Sequence, residues 1–285
     1  MNSFYGVLAA RSFRFAYPQL AEAITSFGQH MLKKTRTMLE EMDYAVLYGD
    51  TDSLFVDKGF SHPVSLVHAL REGQLLANRL NRQLAEYIQQ NWQVTSYLVL
   101  EFEKFYRFFL LPSMRHSQSG RAKGYAGWRE AGEDKLEIVG LEAVRSDWTP
   151  LAKTLQKQLL TMLFREAPTA EMAAHVKTCV SQMEQGRRDG ELVFSTRLHK
   201  PLSEYRKTTP PHVKAARLLP EPQRTVRYVM TLQGPQPLGY VNAPLDYDFY
   251  RQRQVFPIVA GIAPYAGLDA QALCRMQGGQ GTLFS

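Results

Sequence analysis

The chain has 285 residues, 45% hydrophobic and 21% charged, so it is long enough to bury a core of its own. It has no run of about 18 apolar residues and no basic segment leading into an apolar run at its start, which argues against a membrane span or secretory signal and favours a cytoplasmic location. The net charge is +7, and the only cysteines, Cys179 and Cys274, argue against a disulfide framework or zinc site and predict two buried thiols.

The first half of the sequence predicts a mixture of helices and strands. Apolar residues from Pro18 to Met42 recur mostly three, four or seven positions apart, the spacing of an amphipathic helix. Two β-prone runs follow, Tyr44 to Tyr48 and Ser53 to Val56, and the tight polar segment between them predicts a β-hairpin. A second helix is predicted from about Pro63 to Gln90, and a β-rich stretch from Ser96 to Leu111.

A polar loop is predicted from Ser113 to Lys123, and beyond Pro150 the pattern changes to helical periodicity. Helices are predicted over Leu151 to Leu163 and around Ala170 to Met183. Strand signals then become sparse, and the proline density from Pro201 to Pro264 favours irregular segments over long helices. The change of pattern predicts a domain boundary near Asp147 to Pro150, with an α+β unit before it and a mainly helical unit after it.

The positive charge is concentrated between Arg187 and Arg227. This stretch has a local excess of +6, because ten basic residues stand against four acidic ones. A polyanionic partner would explain the cluster, and so would a solvated face that aids solubility. Composition does not decide between these two interpretations.

The strongest chemical signal is the segment from Tyr48 to Ser53 at the tip of the predicted hairpin. Asp50 and Asp52 are one residue apart in a tight turn, so both can face one hard cation such as Mg²⁺, as phosphoryl and nucleotidyl transfer require. Asp and Gly are also common turn formers without any catalytic role. A calcium-binding EF-hand loop is excluded, because Phe55 stands where it needs glycine and Ser61 where it needs the closing Glu.

These residues resemble motif C of family B DNA polymerases, which reads YGDTDS. The segment Asn2 to Gly6 resembles the NSxYG end of motif B in the same family. Further matches over the chain are Arg14, Phe15, Ile24, Thr25, Gly28, Gly140, Leu141, Glu142, Val144, Arg145, Asp147 and Trp148. Within the family, Pro201 to Tyr205 and Pro211 to Val213 resemble most the bacterial DNA polymerase II group.

The resemblance implies a catalytic role for Asp50 and Asp52. They would be carboxylates that hold two Mg²⁺ ions, with Mn²⁺ as a substitute, while a primer 3′-hydroxyl attacks the α-phosphate of a deoxynucleoside triphosphate. Asn2, Tyr5 and Gly6 would form part of the nucleotide site, with Tyr5 beneath the nascent base pair.

The resemblance also implies contacts with primer–template DNA. Lys123 and Tyr125 match the KxY element, whose fuller form is Lys-Lys-Arg-Tyr; here Ala122 and Gly124 replace two of its cations, and Arg121 is a candidate substitute. Phosphate contacts from the basic half would hold the duplex without reading its sequence. The full set of predicted DNA contacts is Tyr48, Thr51, Arg121, Lys123, Tyr125, Arg145, Arg206, Lys207, Lys214 and Arg217.

The last residues predict a second partner, the sliding clamp. Gln280, Leu283 and Phe284 fit the QxxLF pattern of bacterial clamp-binding polymerases, in which two apolar side chains enter a pocket and the glutamine bonds its rim. The resemblance implies a motif B and fingers remnant at 1–14, a partial palm of antiparallel sheet and helices at 15–147, a mainly α-helical thumb at 148–279 and a clamp-binding tail at 280–285.

Two elements that the family needs are not found in the sequence. These are the DxxSLYP segment with the first catalytic aspartate and the motif B lysine, which would fall before Met1. Because two metals need ligands from more than one segment, we expect this C-terminal portion alone not to synthesise DNA. The implied setting is a bacterial cytoplasm, at the nucleoid, with no membrane partner.

Two other hypotheses remain open at this point. A glycosyltransferase could bind a nucleotide-sugar diphosphate through a metal held by Asp50 and Asp52, although only 49 residues precede the pair, too few for a nucleotide-binding domain upstream. A non-catalytic module that binds DNA and the sliding clamp is the second hypothesis. Salt-sensitive DNA binding without primer extension would distinguish that module from a polymerase.

Overall fold

The structure is a computed structural model, and it describes residues 2–50, 52–60, 64–114, 117–120, 124–129, 135–206, 209–221 and 223–275. At residues 2–4, 50, 113–114 and 117–120 only the backbone is described. The chain divides into two compact units, one up to Phe105 and one from Tyr106 onward.

The first unit packs two long helices against a hairpin. A short helix α1, Asn2–Ala9, precedes α2, Pro18–Glu40, and the hairpin of β1, Ala45–Asp50, and β2, Ser53–Asp57, leads to α3, Leu66–Trp92. Its core consists of residues from α2 and α3. They are Met31, Met38, Leu39, Leu80, Leu84 and Ile88. The predicted helix, hairpin and second helix are therefore confirmed, the last with Ser65 as its N-cap.

The prediction of a β-rich stretch from Ser96 is wrong for its first ten residues. Regular strand begins only at Tyr106, and the preceding segment runs beside α3 with no strand partner among the described residues. The Asn81 side chain takes the place of one: its amide donates to Leu100 O at 2.8 Å, and its Oδ1 accepts from Leu100 N at 2.7 Å. The backbone groups of Leu100 are therefore satisfied without a strand partner.

The second unit begins with small antiparallel sheets. Strand β3, Tyr106–Leu110, pairs with β6, Tyr125–Arg129, which pairs with β7, Lys135–Val139. The predicted polar loop contains two short paired strands, β4, Ser113–Met114, and β5, Ser117–Gly120.

Helices α4, Pro150–Phe164, and α5, Thr169–Glu184, confirm the two predicted helices of the second half. Thr149 caps α4, because its hydroxyl accepts from Ala152 N. The apolar faces of both helices contribute to one core with the β3–β6–β7 sheet. Cys179 and Cys274 are buried in that core, as predicted, and burial raises the pKa of Cys274 to about 11.

Two expectations for the later part of the chain are wrong. Strand signals were expected to be sparse, yet β8, Phe194–Arg197, β9, Thr225–Thr231, and β10, Gly234–Pro237, form a sheet in the order β10–β9–β8. Its edge strand β10 contains two prolines, which an edge strand tolerates because one side needs no donor. Helix α6, Pro211–Ala216, lies between β8 and β9.

The prediction of irregular segments over long helices is wrong at the end of the proline-rich stretch, from Tyr247 onward. Helix α7, Tyr247–Tyr250, passes through a π-helical segment, Arg251–Val255, into α8, Phe256–Ala266, and α9, Ala270–Leu273, follows. Pro257 cannot donate a backbone hydrogen bond, and the change of helical register falls just before it.

The fold is thus mixed helix and small antiparallel sheets, which confirms the α+β class. The unit division after Phe105 differs in place from the predicted palm and thumb boundary at 147/148, and those two labels stay predictions. No helix of the described part is long and apolar enough to cross a membrane.

Candidate active site and DNA-contact residues

The segment predicted to be catalytic forms the tip of the β1–β2 hairpin. Asp50 pairs with Ser53 in the ladder, so only two residues connect the strands. Behind the tip, Gly49 pairs with Leu54, and a Cβ at Gly49 would lie 3.1 Å from Leu54 Cδ2. A side chain larger than hydrogen at this position would therefore push against the partner strand.

The base of the hairpin is fixed while its tip faces solvent. Val46, Leu54 and Val56 pack against the α2 and α3 core, and the Tyr48 and Phe55 rings lie 5.6 Å apart. Asp52 is exposed. A rigid base with an exposed carboxylate is the arrangement that a metal ligand needs, because the ion must be reached from solvent without moving the scaffold.

The donor chemistry of the hairpin fits a hard divalent cation. Asp52 offers carboxylate oxygen, which Mg²⁺ prefers, and Asp50 ends β1 two positions earlier, with its side chain outside the described residues. In the described part of the chain no group of three or more His, Cys, Asp or Glu lies close enough to hold a metal ion. A complete octahedral site at this hairpin would need further ligands from another segment.

The residues predicted to contact the nucleotide lie on α1. Asn2, Tyr5 and Gly6 stand at positions i, i+3 and i+4, which places them on one face of the helix. Tyr5 is 39% exposed, and in the described part of the chain no atom beyond the neighbouring residues and the backbone of α1 lies within 4 Å of where a Gly6 Cβ would be. This face of α1 is therefore open to a ligand.

Tyr125, the tyrosine of the KxY element, opens strand β6. It is half-buried in an aromatic group, with its ring 5.3 Å from Phe109 and 6.4 Å from Tyr106. Tyr106 donates to Glu137 Oε2 at 2.7 Å, and burial followed by this bond raises the pKa of Tyr106. The aromatic group fixes the position from which Tyr125 could meet DNA.

Arg145 lies in the Gly140–Trp148 segment that resembles the family. It forms a two-point ion pair with Asp147, Nε to Oδ1 at 2.9 Å and Nη2 to Oδ2 at 2.7 Å. This hydrogen bonding raises the pKa of Arg145 and lowers that of Asp147. The pair has no net charge, so a phosphate contact there would depend on the remaining guanidinium N–H groups.

Three of the predicted phosphate contacts in the basic half are exposed. Arg206 lies before α6, and Lys214 and Arg217 are three residues apart on its solvent side, opposite the buried Val213. Arg217 Nη2 also donates to the carbonyl oxygen of Tyr205 at 3.1 Å. The structure thus brings Lys214 and Arg217 to one surface.

Sequence reasoning did not single out the arginines of the neighbouring sheet. Ser195 pairs with Arg227, and Arg197 pairs with Thr225, so both arginines lie on one exposed face of β8 and β9. Val226 and Tyr228 alternate with them and are buried. That alternation in β9 was the available signal, since a period of two predicts one basic and one core face.

Several predicted residues cannot be placed. Thr51, Arg121, Lys123, Lys207, Gln280, Leu283 and Phe284 lie outside the described residues. Their roles, and the KxY lysine and clamp contacts in particular, stay predictions.

Comparison with known proteins agrees with the resemblance found in the sequence. The model of DNA polymerase family B matches residues 1–232. The chain is 40% identical over 278 residues to DNA polymerase II of Escherichia coli, covering 93% of this chain and 35% of that protein. It is 28% identical over 300 residues to DNA polymerase 2 of Aeropyrum pernix, covering 99% of this chain and 33% of that protein.

Among solved structures, the family B DNA polymerase of Pyrobaculum calidifontis has a similar fold, with a TM-score of 0.56 at 24% identity. That match covers 97% of this chain and 32% of the other. The chain therefore spans about a third of the length of these polymerases. The family match and the relatives together show that the chain belongs to the family B DNA polymerases.

Proposed function

We propose that this chain supplies the motif C carboxylates and a DNA-gripping surface to template-directed DNA synthesis. The observation that supports it best is the β1–β2 hairpin, which carries the YGDTDS segment at an exposed tip on a partly buried base that packs against the α2 and α3 core. Its substrates would be a primer–template duplex and deoxynucleoside triphosphates.

In this mechanism Asp50 and Asp52 would hold Mg²⁺, together with carboxylates from another segment of the complete polymerase. Bound divalent ions lower the pKa of the primer 3′-hydroxyl and offset the charge that develops on the phosphates. The hairpin keeps Asp52 in place through the fixed strands behind it. The open face of α1 gives Tyr5 room to lie beneath the nascent base pair, with Gly6 leaving space beside it.

The remaining roles belong to the same proposal. Residues 15–147 would form the palm portion, residues 148–279 the thumb, and Gln280, Leu283 and Phe284 the clamp-binding tail. Arg206, Lys207, Lys214 and Arg217 would hold the duplex through its phosphates, which fixes register without reading sequence. The setting would be the bacterial cytoplasm.

A chimera tests the catalytic role of the hairpin. In it these 285 residues replace the matched segment of E. coli DNA polymerase II, to which they are 40% identical. We expect Mg²⁺-dependent primer extension, and we expect Asp52→Asn to lower its rate by about 10²- to 10³-fold, because a charge-stabilising ligand is lost. Asp57→Asn is the matched control, since Asp57 is also exposed but ends β2 away from the tip.

Retained activity in the Asp52→Asn chimera beside an active control would contradict the proposed role. The 285-residue chain alone should give no extension in the same assay, because one hairpin does not complete a two-metal site. Robust incorporation by that chain would show that the described carboxylates suffice.

A second candidate function is a DNA- and clamp-binding module without catalysis. It is favoured by the exposed basic residues of β8, β9 and α6, which belong to the second unit and not to the hairpin unit. Family membership gives no support to the glycosyltransferase hypothesis.

Salt dependence tests the DNA-binding part of both functions. With four phosphate contacts, the slope of log affinity against log salt should be about −3.6, a loss of roughly 10²-fold between about 50 mM and about 200 mM salt. A gel-shift series with the 285-residue chain and a primer–template duplex measures it. Absence of DNA binding, or DNA binding that does not depend on salt, would rule out binding through phosphate contacts.

A further inference from the structure

We propose that Tyr205 is a positioning residue that arranges the cationic side chains of the second unit for contact with DNA phosphates. The inference rests on the proposed function, since it concerns how basic side chains of the second unit contact DNA phosphates. Tyr205 ends the Pro201–Tyr205 segment, which resembles the bacterial DNA polymerase II group.

Four contacts converge on Tyr205 from two parts of the chain. Its hydroxyl accepts a hydrogen bond from His199 N at 3.3 Å, and its ring packs edge-to-face with the His212 ring, with centroids 6.4 Å apart and an angle of 89° between the planes. Lys200 Nζ lies 4.7 Å from the ring centroid, and Arg217 donates to the Tyr205 carbonyl oxygen at 3.1 Å. The residue therefore joins the loop after β8 to α6.

These contacts orient the cations without using up their donors. Lys200 donates one of its three N–H groups to the carbonyl oxygen of Glu204, at 3.1 Å, and its ammonium lies over the Tyr205 ring. Arg217 has five N–H groups, and its bond to Tyr205 uses one of them. Both side chains are exposed, so the remaining donors can reach a phosphate.

Orientation matters because lysine and arginine lose much side-chain freedom when they bind a phosphate from a mobile state. The Tyr205 ring holds the Lys200 ammonium, and its backbone carbonyl holds the Arg217 guanidinium, so part of this cost is met before DNA arrives. The same arrangement would act on any duplex, because it addresses the phosphate backbone and not the bases.

The test measures DNA binding of the 285-residue chain by fluorescence anisotropy over a salt series. We expect Tyr205→Leu to weaken duplex binding about fivefold and to lower the magnitude of the salt slope by about one, because the oriented contact of Lys200 is lost. Tyr205→Phe keeps the ring face and should weaken binding less than about twofold. Tyr240→Leu, at another exposed tyrosine of the same unit, should change neither quantity.

A double-mutant cycle with Lys200→Gln tests whether Tyr205 acts through Lys200. We expect Tyr205→Leu to weaken binding less in the Lys200→Gln background than in the wild type. Fully multiplicative effects, or a Tyr205→Leu protein with wild-type affinity and slope, would overturn the inference and leave the proposed function intact. Absence of salt-dependent binding by the wild type would overturn both.

Folding is checked by far-UV circular dichroism of each variant. Should Tyr205→Leu unfold, Tyr205→Met replaces it, because the flexible thioether fills the space beside His212 without an aromatic face. Unfolding of both variants would overturn the inference in favour of a purely structural tyrosine.

Discussion

At the scale of single residues, a glycine and a buried glutamine fix the Gly140–Trp148 segment. Gly140 has a φ of +65°, which glycine adopts without strain, and it turns the chain from β7 toward α4. Glu142, next but one, is buried, and Gln156 of α4 donates to its Oε2 at 2.8 Å. Gln156 Oε1 also accepts from Ala143 N at 2.6 Å. The segment is therefore held to α4 by buried polar contacts.

Replacement of Gln156 tests that attachment. Gln156→Ala should lower the free energy of unfolding by about 2–3 kcal/mol, because it leaves the Ala143 N–H and one Glu142 contact unmet in a buried place. Gln158→Ala, the same change at an exposed position of the same helix, should alter it by less than about 0.5 kcal/mol. Urea unfolding of both variants measures the difference, and equal stabilities would contradict the account.

At the scale of elements, helices with a regular apolar period were predictable and the segments that depend on distant partners were not. The spacing of apolar residues along α2 and of leucines along α4 predicts both helices from neighbouring residues alone. The run before Tyr106 looks like a strand in sequence, but its backbone partner is Asn81, 19 residues from Leu100. Strand β10 could not be predicted, because its two prolines argue against a strand when the sequence is considered alone.

The same contrast holds for the candidate site. The β1–β2 hairpin with Asp50 and Asp52 at its tip, the carboxylate hairpin, was predictable from one contiguous motif, and the structure confirms the pairing of its two strands. The arginine face of β8 and β9 needs the pairing of strands that are separated in sequence by α6, which no local pattern specifies.

The helical run through the π segment depends on one buried cation. Arg251, with its side chain 6% exposed, pairs with Glu184 of α5 through Nη1 and Oε1 at 2.8 Å, and also with Asp248. Arg251→Ala should lower the free energy of unfolding by about 1–3 kcal/mol, less than for a fully buried pair because both carboxylates are partly exposed.

Arg253→Ala serves as the control, since Arg253 is exposed in the same π segment. Its effect on urea unfolding should stay within about 0.5 kcal/mol. A loss of stability as large as that of Arg251→Ala would show that the ion pairs of Arg251 are not what holds this segment.

On the scale of the whole molecule, the two candidate roles belong to different compact units. The carboxylate hairpin and the open face of α1 lie in the first unit, and the exposed basic residues of β8, β9 and α6 lie in the second. Each unit has a hydrophobic core of its own.

The central claim is that the hairpin carboxylates bind divalent metal at a primer end, and Mn²⁺ binding measured by electron paramagnetic resonance tests it most directly. In the chimera with E. coli DNA polymerase II, bound to primer–template and a nucleotide, we expect Mn²⁺ affinity to fall at least about tenfold in Asp50→Asn and Asp52→Asn. Asp57→Asn should bind as the parent chimera does. Unchanged Mn²⁺ binding in both tip variants would contradict the account.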